Sequence, residues 1–394
     1  MKFSLVITCY NQRDFIGAAV DSALSQQHRP GEIIVVDDGS TDGSLEMVQR
    51  FGASIKLVRF SRNIGAIEAR NEGAARAEGE YVVFLDGDDL FVPWAFDVYH
   101  TIVEQRDPKI VVSARQWFQG ASPLLTKSGL PSSVEFIEYT NLLAKDRGAT
   151  GGLGASGLIV HRQALQNVGG WSRGIFHLDV IDFTLKLGYS GRTVLVCSPR
   201  TVLYRFHTAN SILTVPPFLR MAHRIMEREK AGEYPGGKEH RFERYAYLGG
   251  VIAFWASNAM RARFYVDALR LAVLGSPMIL AAIVHKLSAR ASHRHAVVTV
   301  NLPLDSNKTG STIDDCISSR GLPTLHKDDK GIDYATMGEI VRRPFKTLAE
   351  WMVVHKNNKM FIAMLVAVGC GLVWLGLHAS HHWHAFHNIT HNHL

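Results

Sequence analysis

Short apolar runs alternate with stretches of helical spacing along the first quarter of the chain. Phe3-Ser4-Leu5-Val6-Ile7-Thr8 reads as a buried strand, and Asn11 to Ser25 carries Phe15, Ala18, Ala19, Ala23 and Leu24 at helical intervals. Gly31 opens a second strand, Glu32 to Val36, and Leu45, Val48 and Phe51 predict a second helix. Ile55 to Arg59 predicts a third strand, Ile67 to Ala77 a third helix, and Tyr81 to Leu85 a fourth strand. Strands alternating with helices imply an α/β sheet whose strands pair in parallel through right-handed crossovers. Ligands of such sheets sit beyond the carboxyl ends of the strands. Thr8-Cys9-Tyr10-Asn11, Asp37-Asp38 and Asp86-Gly87-Asp88 all fall at such ends and are expected to converge on one crevice.

The fourth strand stops in three carboxylates, Asp86, Asp88 and Asp89, within four positions. Clustered carboxylates repel one another, so a buried strand that ends this way needs a positive partner. A hard divalent cation such as Mg2+ or Mn2+ takes oxygen ligands and shares them with a substrate phosphate.

Val6-Ile7-Thr8-Cys9-Tyr10-Asn11 followed by Ile34-Val35-Val36-Asp37-Asp38-Gly39-Ser40-Thr41-Asp42 resembles the amino half of family 2 glycosyltransferases of the GT-A fold. Asn63-Ile64-Gly65-Ala66, Ala69-Arg70-Asn71-Glu72-Gly73 and Phe84 to Asp89 match the same family in the same order. Gly169-Gly170-Trp171 and Tyr204 to Ser211 are weaker echoes. The resemblance covers residues 1–215 and implies a Rossmann-like mixed sheet flanked by helices. It implies transfer of a sugar from a nucleotide-diphospho-sugar to a hydroxyl acceptor, with inversion. Asp88 would then hold the metal, with Asp86 beside the ribose and the metal shell and His207 within reach of the metal or diphosphate. Thr8, Tyr10, Asn11, Asp37 and Asp38 would contact the nucleoside, and Arg70 the diphosphate.

The family's catalytic base is a carboxylate of a Glu-Asp pair after a Gly-Gly-aromatic turn. In Gly169 to Phe183 that pair is broken, which leaves Asp179 as the first candidate and Asp182, three positions on, as the second. The broken pair keeps a second reading open, a non-catalytic nucleotide-sugar-binding or scaffold protein on the same fold. Sugar-nucleotide synthesis is disfavoured, because the amino terminus lacks a glycine-rich phosphate loop bearing an arginine.

The 394 residues hold a catalytic domain with appendages, and 46% hydrophobic content supplies a core. The formal charge of +7 is spread out without a recognition motif, which argues against nucleic acid and fits anionic lipid. Cys9, Cys197, Cys316 and Cys370 make no metal or redox spacing and read as reduced thiols. Lys2 precedes only a brief apolar run, so no secretory leader is expected.

Residues 216–295 predict a helical, membrane-associated extension, with Leu269 to Val284 interrupted by Arg270 and Pro277 and suited to the interface rather than to a span. Residues 296–340 read as a linker, and 341–359 as an amphipathic basic juxtamembrane helix carrying Trp351 and Met352. Residues 360–377 are uncharged, apolar and long enough for one transmembrane helix. Lys and Arg precede that segment and none follows it, which predicts a single-pass protein with its catalytic domain on the cytoplasmic side. Residues 378–394 form a histidine-rich tail. Tethering of this kind favours a lipid-linked or membrane-proximal glycan acceptor.

Overall fold

The computed structural model describes residues 3–120, 131–143, 154–207, 215–291 and 296–302. The predicted juxtamembrane helix, transmembrane helix and histidine-rich tail, and most of the linker, lie outside the described residues. The strands are β1 (Phe3–Cys9), β2 (Glu32–Asp37), β3 (Lys56–Arg59), β4 (Tyr81–Asp86), β5 (Leu90–Phe91), β6 (Ile110–Val112), β7 (Arg115–Phe118), β8 (Ser133–Tyr139), β9 (Leu158–His161), β10 (Thr193–Ser198), β11 (Val202–Arg205) and β12 (Val298–Asn301). Between them run α1 (Arg13–Leu24), α2 (Ser44–Gln49), α3 (Ala66–Ala75), α4 (Ala95–Arg106), α5 (Arg162–Asn167) and α6 (Asp179–Leu187). A helical unit follows: α7 (Val215–Lys230), α8 (Arg241–Arg261), α9 (Tyr265–Leu274) and α10 (Ser276–Ala291).

Nine strands form one mixed sheet in the order β12-β8-β10-β6-β9-β4-β1-β2-β3. The half from β3 to β4 is parallel, as the alternation of strands and helices predicts. Antiparallel β9 then separates β4 from β6, so the sheet turns mixed next to the acidic strand end. Alternate side chains of β1 feed opposite cores: Phe3, Leu5, Ile7 and Cys9 pack with α1 and α4, whereas Val6 packs with Ile67 and the strand residues Ile34 and Phe84. Period-two burial on both faces is why these strands read as continuous apolar runs. A second, three-stranded sheet, β5-β11-β7, stands beside the carboxyl end of β4.

Helix α6 joins the two halves of the molecule. Phe183 and Leu187 enter the core on the sheet side, and Leu185 enters the cluster built by α7 to α10. In that cluster Trp255 stacks on Phe218 with centroids 3.8 Å apart. Gly249 lets α8 meet α10 backbone to backbone, because a Cβ there would lie 1.9 Å from the Met278 carbonyl oxygen. Arg244 and Glu229, both buried, tie α8 to α7 at 2.7 Å, and Arg244 also donates to the Pro235 and Gly237 carbonyls.

One boundary differs from the sequence reading. Val298–Asn301, expected to begin a linker, is the edge strand β12, antiparallel to β8. The alternation Val-Thr-Val-Asn is too short to register as a strand until β8 supplies a pairing edge. The expected helices of 216–295 are present, but among the described residues no single helix is long and apolar enough to cross a membrane.

Candidate active site

The carboxyl ends of β1, β2 and β4 open on one side of the sheet, and their loops are laced together. The Asn11 N–H donates to Ser40 Oγ, the Thr41 N–H to Asn11 Oδ1, the Gln12 N–H to Ser44 Oγ and the Arg13 N–H to Asp42 Oδ2, all at 2.8–3.0 Å. Asn11 adopts φ of 51°, a left-handed conformation that Asn tolerates better than most residues. It therefore splints two loops, with its side-chain oxygen already used. At the end of β4, Gly87 donates its N–H to the Thr8 carbonyl. A Cβ at Gly87 would sit 2.5 Å from Gln12 Oε1 and 2.8 Å from Thr8 O, so only glycine permits this closure of β4 on β1.

The two acids that end β2 have different fates. Asp38 accepts the N–H groups of Ile64 and Gly65 at 2.8 Å each, holding the loop that starts α3. Burial, outweighing those two donors and aided by the Asp37 charge, pushes its carboxyl up. Each of its oxygens serves one backbone N–H, so Asp38, expected to contact a nucleoside, also holds the loop that starts α3. Asp37 is also fully buried, yet only Oδ1 is engaged, by the Ser40 N–H at 3.3 Å. Its Oδ2 is buried without a hydrogen-bond partner. A buried acceptor left open at a strand end is costly unless a ligand donates to it. Thr8 lies beneath this floor, while Tyr10 is exposed at the mouth.

Arg70, on α3, departs from the expected role. Its guanidinium is buried and forked between two carboxylates, Nη2 to Asp86 Oδ1 at 2.7 Å and Nη1 to Asp179 Oδ2 at 2.6 Å. Burial works against its charge, but Asp86 first and Asp179 second outweigh it and raise its pKa above the usual arginine value. Beneath it lies Trp171, 4.9 Å from the guanidinium carbon to the ring centroid. Trp171 stacks on Phe183 at 4.0 Å, and Asn71 clamps its backbone with an N–H in each direction. The Ala69-Arg70-Asn71 and Gly169-Gly170-Trp171 motifs are thus two halves of one support. They place Asp179, at the first turn of α6, one guanidinium away from Asp86.

Asp182 does not share that cleft. It is fully buried, accepts the Tyr234 hydroxyl at 2.6 Å and pairs with Arg228 of α7. Three positions along a helix place two residues on one side only approximately, and α6 is short enough that α7 captures the second acid. Asp182 anchors α6 to the helical unit, which corrects its candidacy as a base.

The remaining carboxylates are gripped by β11. The Arg205 N–H donates to Asp89 Oδ1 and its Nε to the Asp88 carbonyl, both at 2.8 Å, while the guanidinium lies over Phe15 and Phe118. Ser156 donates to Asp89 and accepts the Asp86 N–H. Burial, and then the charges of Asp88 and Asp86, push Asp89 well above the usual carboxylate range. His207 Nε2 lies 2.9 Å from Asp88 Oδ2, with its ring stacked on Phe15. Asp86 points instead towards Arg70 and, at 3.4 Å, Thr8. Among the described residues no group of three or more His, Cys, Asp or Glu is arranged to enclose a metal ion. The donor set that remains, the Asp88 carboxylate and the His207 imidazole, fits an ion that takes the rest of its shell from a diphosphate and water. The supporting roles of Arg205 and Ser156 escaped the sequence reading, since each acts through contacts between distant segments.

Comparison with known proteins bears on this crevice. Residues 4–169 match the model of glycosyl transferase family 2. That span is similar to family 2 glycosyltransferase domains. It ends ten residues before Asp179, so the candidate base lies outside the matched span. Cholesterol galactosyltransferase of Borreliella burgdorferi is 31% identical over 132 residues, 33% of this chain and 37% of that protein. The putative teichuronic acid biosynthesis glycosyltransferase TuaG of Bacillus subtilis is 44% identical over 89 residues, 22% of this chain and 35% of that protein. The chain thus spans little more than a third of the length of these relatives. Among solved structures, S. aureus TarS 1-349 in complex with UDP-GlcNAc superposes with a TM-score of 0.53 at 17% identity, over 73% of this chain and 89% of that one. That likeness shows the mixed α/β fold.

Proposed function

We propose that the chain is a metal-dependent, inverting glycosyltransferase that moves a sugar from a nucleotide-diphospho-sugar to a hydroxyl of a lipid-linked or membrane-proximal glycan. The observation that carries this reading is the Arg70 fork, which joins Asp86 at the acidic strand end to Asp179 at the start of α6. It sets the Asp179 carboxylate, read here as the acceptor's base, one guanidinium away from the acid at the end of β4.

In this reading the open Oδ2 of Asp37 accepts a hydroxyl or imide N–H of the nucleoside, with Thr8 and Tyr10 alongside. Asp88 and His207 would hold Mg2+ or Mn2+, and Asp86 faces Arg70 and through it Asp179. The cation, when bound, neutralises charge on the departing diphosphate. Asp179 takes the proton of the acceptor hydroxyl as that oxygen bonds to the anomeric carbon. The bond from the anomeric carbon to the diphosphate oxygen breaks, and its electron pair leaves with the nucleoside diphosphate. Attack opposite the leaving group inverts the anomeric centre. The family 2 match of residues 4–169 and the fold shared with a protein solved with UDP-GlcNAc support a uridine diphospho-sugar as the first donor to try. The apolar segment 360–377 with its basic amino-terminal flank supports a place on the cytoplasmic side of a membrane.

The test is nucleoside-diphosphate release from a panel of nucleotide sugars, with manganese, magnesium or chelator, and membrane extract as acceptor source. Release that requires metal, falls in Asp88→Ala and falls in Asp179→Asn with donor binding intact supports the reading. Donor binding without release from any donor moves the chain to the binding-protein reading. Release undiminished by chelator sinks the metal role.

A further inference from the structure

Helix α9 carries apolar side chains well beyond the side that is covered. Ala268, Leu271 and Ala272 are buried against the helical unit, whereas Val266, Leu269, Val273 and Leu274 are exposed, Val266 to 80%. The end of α10 continues this face with Val284 and Leu287, and Phe264 and Tyr265 stand at its edge. Eight of the twelve exposed large apolar side chains among the described residues fall within 264–287, so the exposure is concentrated rather than scattered. Contiguous apolar surface of this kind marks an interaction site.

Charge selects the neighbour. Arg270 and Lys286 are exposed on the same two helices, with Arg261 and Arg263 just ahead of them, and Asp267 is the one acid of residues 261–304. A two-fold contact with a second copy would set these cations against themselves. An anionic bilayer satisfies both features, because apolar side chains enter the acyl boundary while arginine and lysine reach back to lipid phosphates. Phe264 and Tyr265 are of the type that favours the headgroup level. Among the described residues no single helix is long and apolar enough to cross; α9 and α10 reach that length only together and bent by 68°, and α10 meets α8 backbone to backbone at Gly249, which favours a pair lying along the surface.

We propose that the α9–α10 face is a monotopic seat for an anionic lipid surface, in which the pair lies in the headgroup region without spanning. The seat rests on this surface alone and stands apart from the transferase chemistry.

Hydrogen–deuterium exchange of the full chain, alone and with vesicles, tests it at the level of residues 264–288. Mixed phosphatidylcholine–phosphatidylglycerol vesicles are expected to slow exchange there, and phosphatidylcholine alone much less. Local protection is expected to need about fivefold more anionic lipid in Arg270→Gln, one basic side chain's share. In Val266→Ser/Leu269→Ser, whose positions are exposed and dispensable for folding, it is expected to need more than about tenfold more. Residues 264–288 left unprotected while the chain binds vesicles elsewhere would overturn the proposal. Protection unchanged by the substitutions would do the same, as would full protection without vesicles in a protein that light scattering finds dimeric. Metal-dependent donor hydrolysis measured in the same samples keeps failure of the seat distinct from failure of the transferase reading.

Discussion

Replacing Arg70 with methionine keeps the length of the side chain and removes the charge that two carboxylates share. Asp86 and Asp179 lie 2.7 and 2.6 Å from the guanidinium nitrogens, so each charge centre is about 4 Å away and each attraction is about 4 kcal/mol at an effective dielectric of 20. Desolvation of the buried guanidinium cancels much of that gain, and the net value of an intact buried pair is small. Breaking it is different, since both acids stay behind; loss of one partner from a buried pair costs about 3–5 kcal/mol. Asp86 and Asp179 keep 28% and 18% of their side-chain surface, so water softens the loss and the lower end, about 3 kcal/mol, is expected. Urea unfolding followed by tryptophan fluorescence reads this directly, because Trp171 lies under the guanidinium. Arg70→Lys should recover part of the stability but not the transfer rate, since one ammonium cannot fork between two carboxylates. Arg70→Met within about 0.5 kcal/mol of wild type, the range of an ordinary surface change, would refute the claim that this fork organises the site. Wild-type nucleoside-diphosphate release in Arg70→Lys would refute the claim that its geometry positions Asp179.

Asp37→Asn should weaken donor binding by about 1.5–3 kcal/mol with little change in stability, whereas Asp38→Ala should lower stability by about 2 kcal/mol by leaving two half-buried N–H groups without their acceptor; titration calorimetry and urea unfolding separate the two. Trp171→Ala should cost about 3–5 kcal/mol in urea unfolding, because the indole is buried between Phe84, Phe183 and Arg70. Glu32 is pushed up by burial but held down to about 2 by Lys56, Ser4 and the Glu78 N–H. Its folded pKa lies below the unfolded value, so its contribution is present above about 4.5 and is lost as pH falls through about 2. Glu32→Gln should therefore unfold earlier in urea at pH 7 and converge on wild type near pH 2; a gap independent of pH would contradict the linkage.

Legibility followed the range of the interactions. Strands β1 to β4 and helices α1 to α3 were readable within a residue or two at most ends, because burial on both faces writes an apolar run into the chain and helical burial writes a 3.6-residue period. The acidic turn at Asp86–Asp89 was readable as a site because clustered charge at a strand end violates the ordinary pattern. Strands β8, β9 and β12 were not read, since their pairing depends on edges supplied from far along the chain. Asp182 was misjudged for a similar reason: its captors, Arg228 and Tyr234, are 46 and 52 positions away.

The amino-acid sequence alone determined the alternating α/β order, the strand ends at which chemistry gathers and the family 2 resemblance. Each of these is local and repeats every few residues, so composition and spacing carry it. The tertiary structure alone decided what each acid faces. Asp38 is held by Ile64 and Gly65, Asp182 by α7, and Asp89 by Ser156 and β11, while Asp37 keeps one open oxygen and Asp179 is presented by Arg70. Identical carboxylates differ in role only through the donors that surround them, and those donors are brought together by folding rather than by sequence proximity.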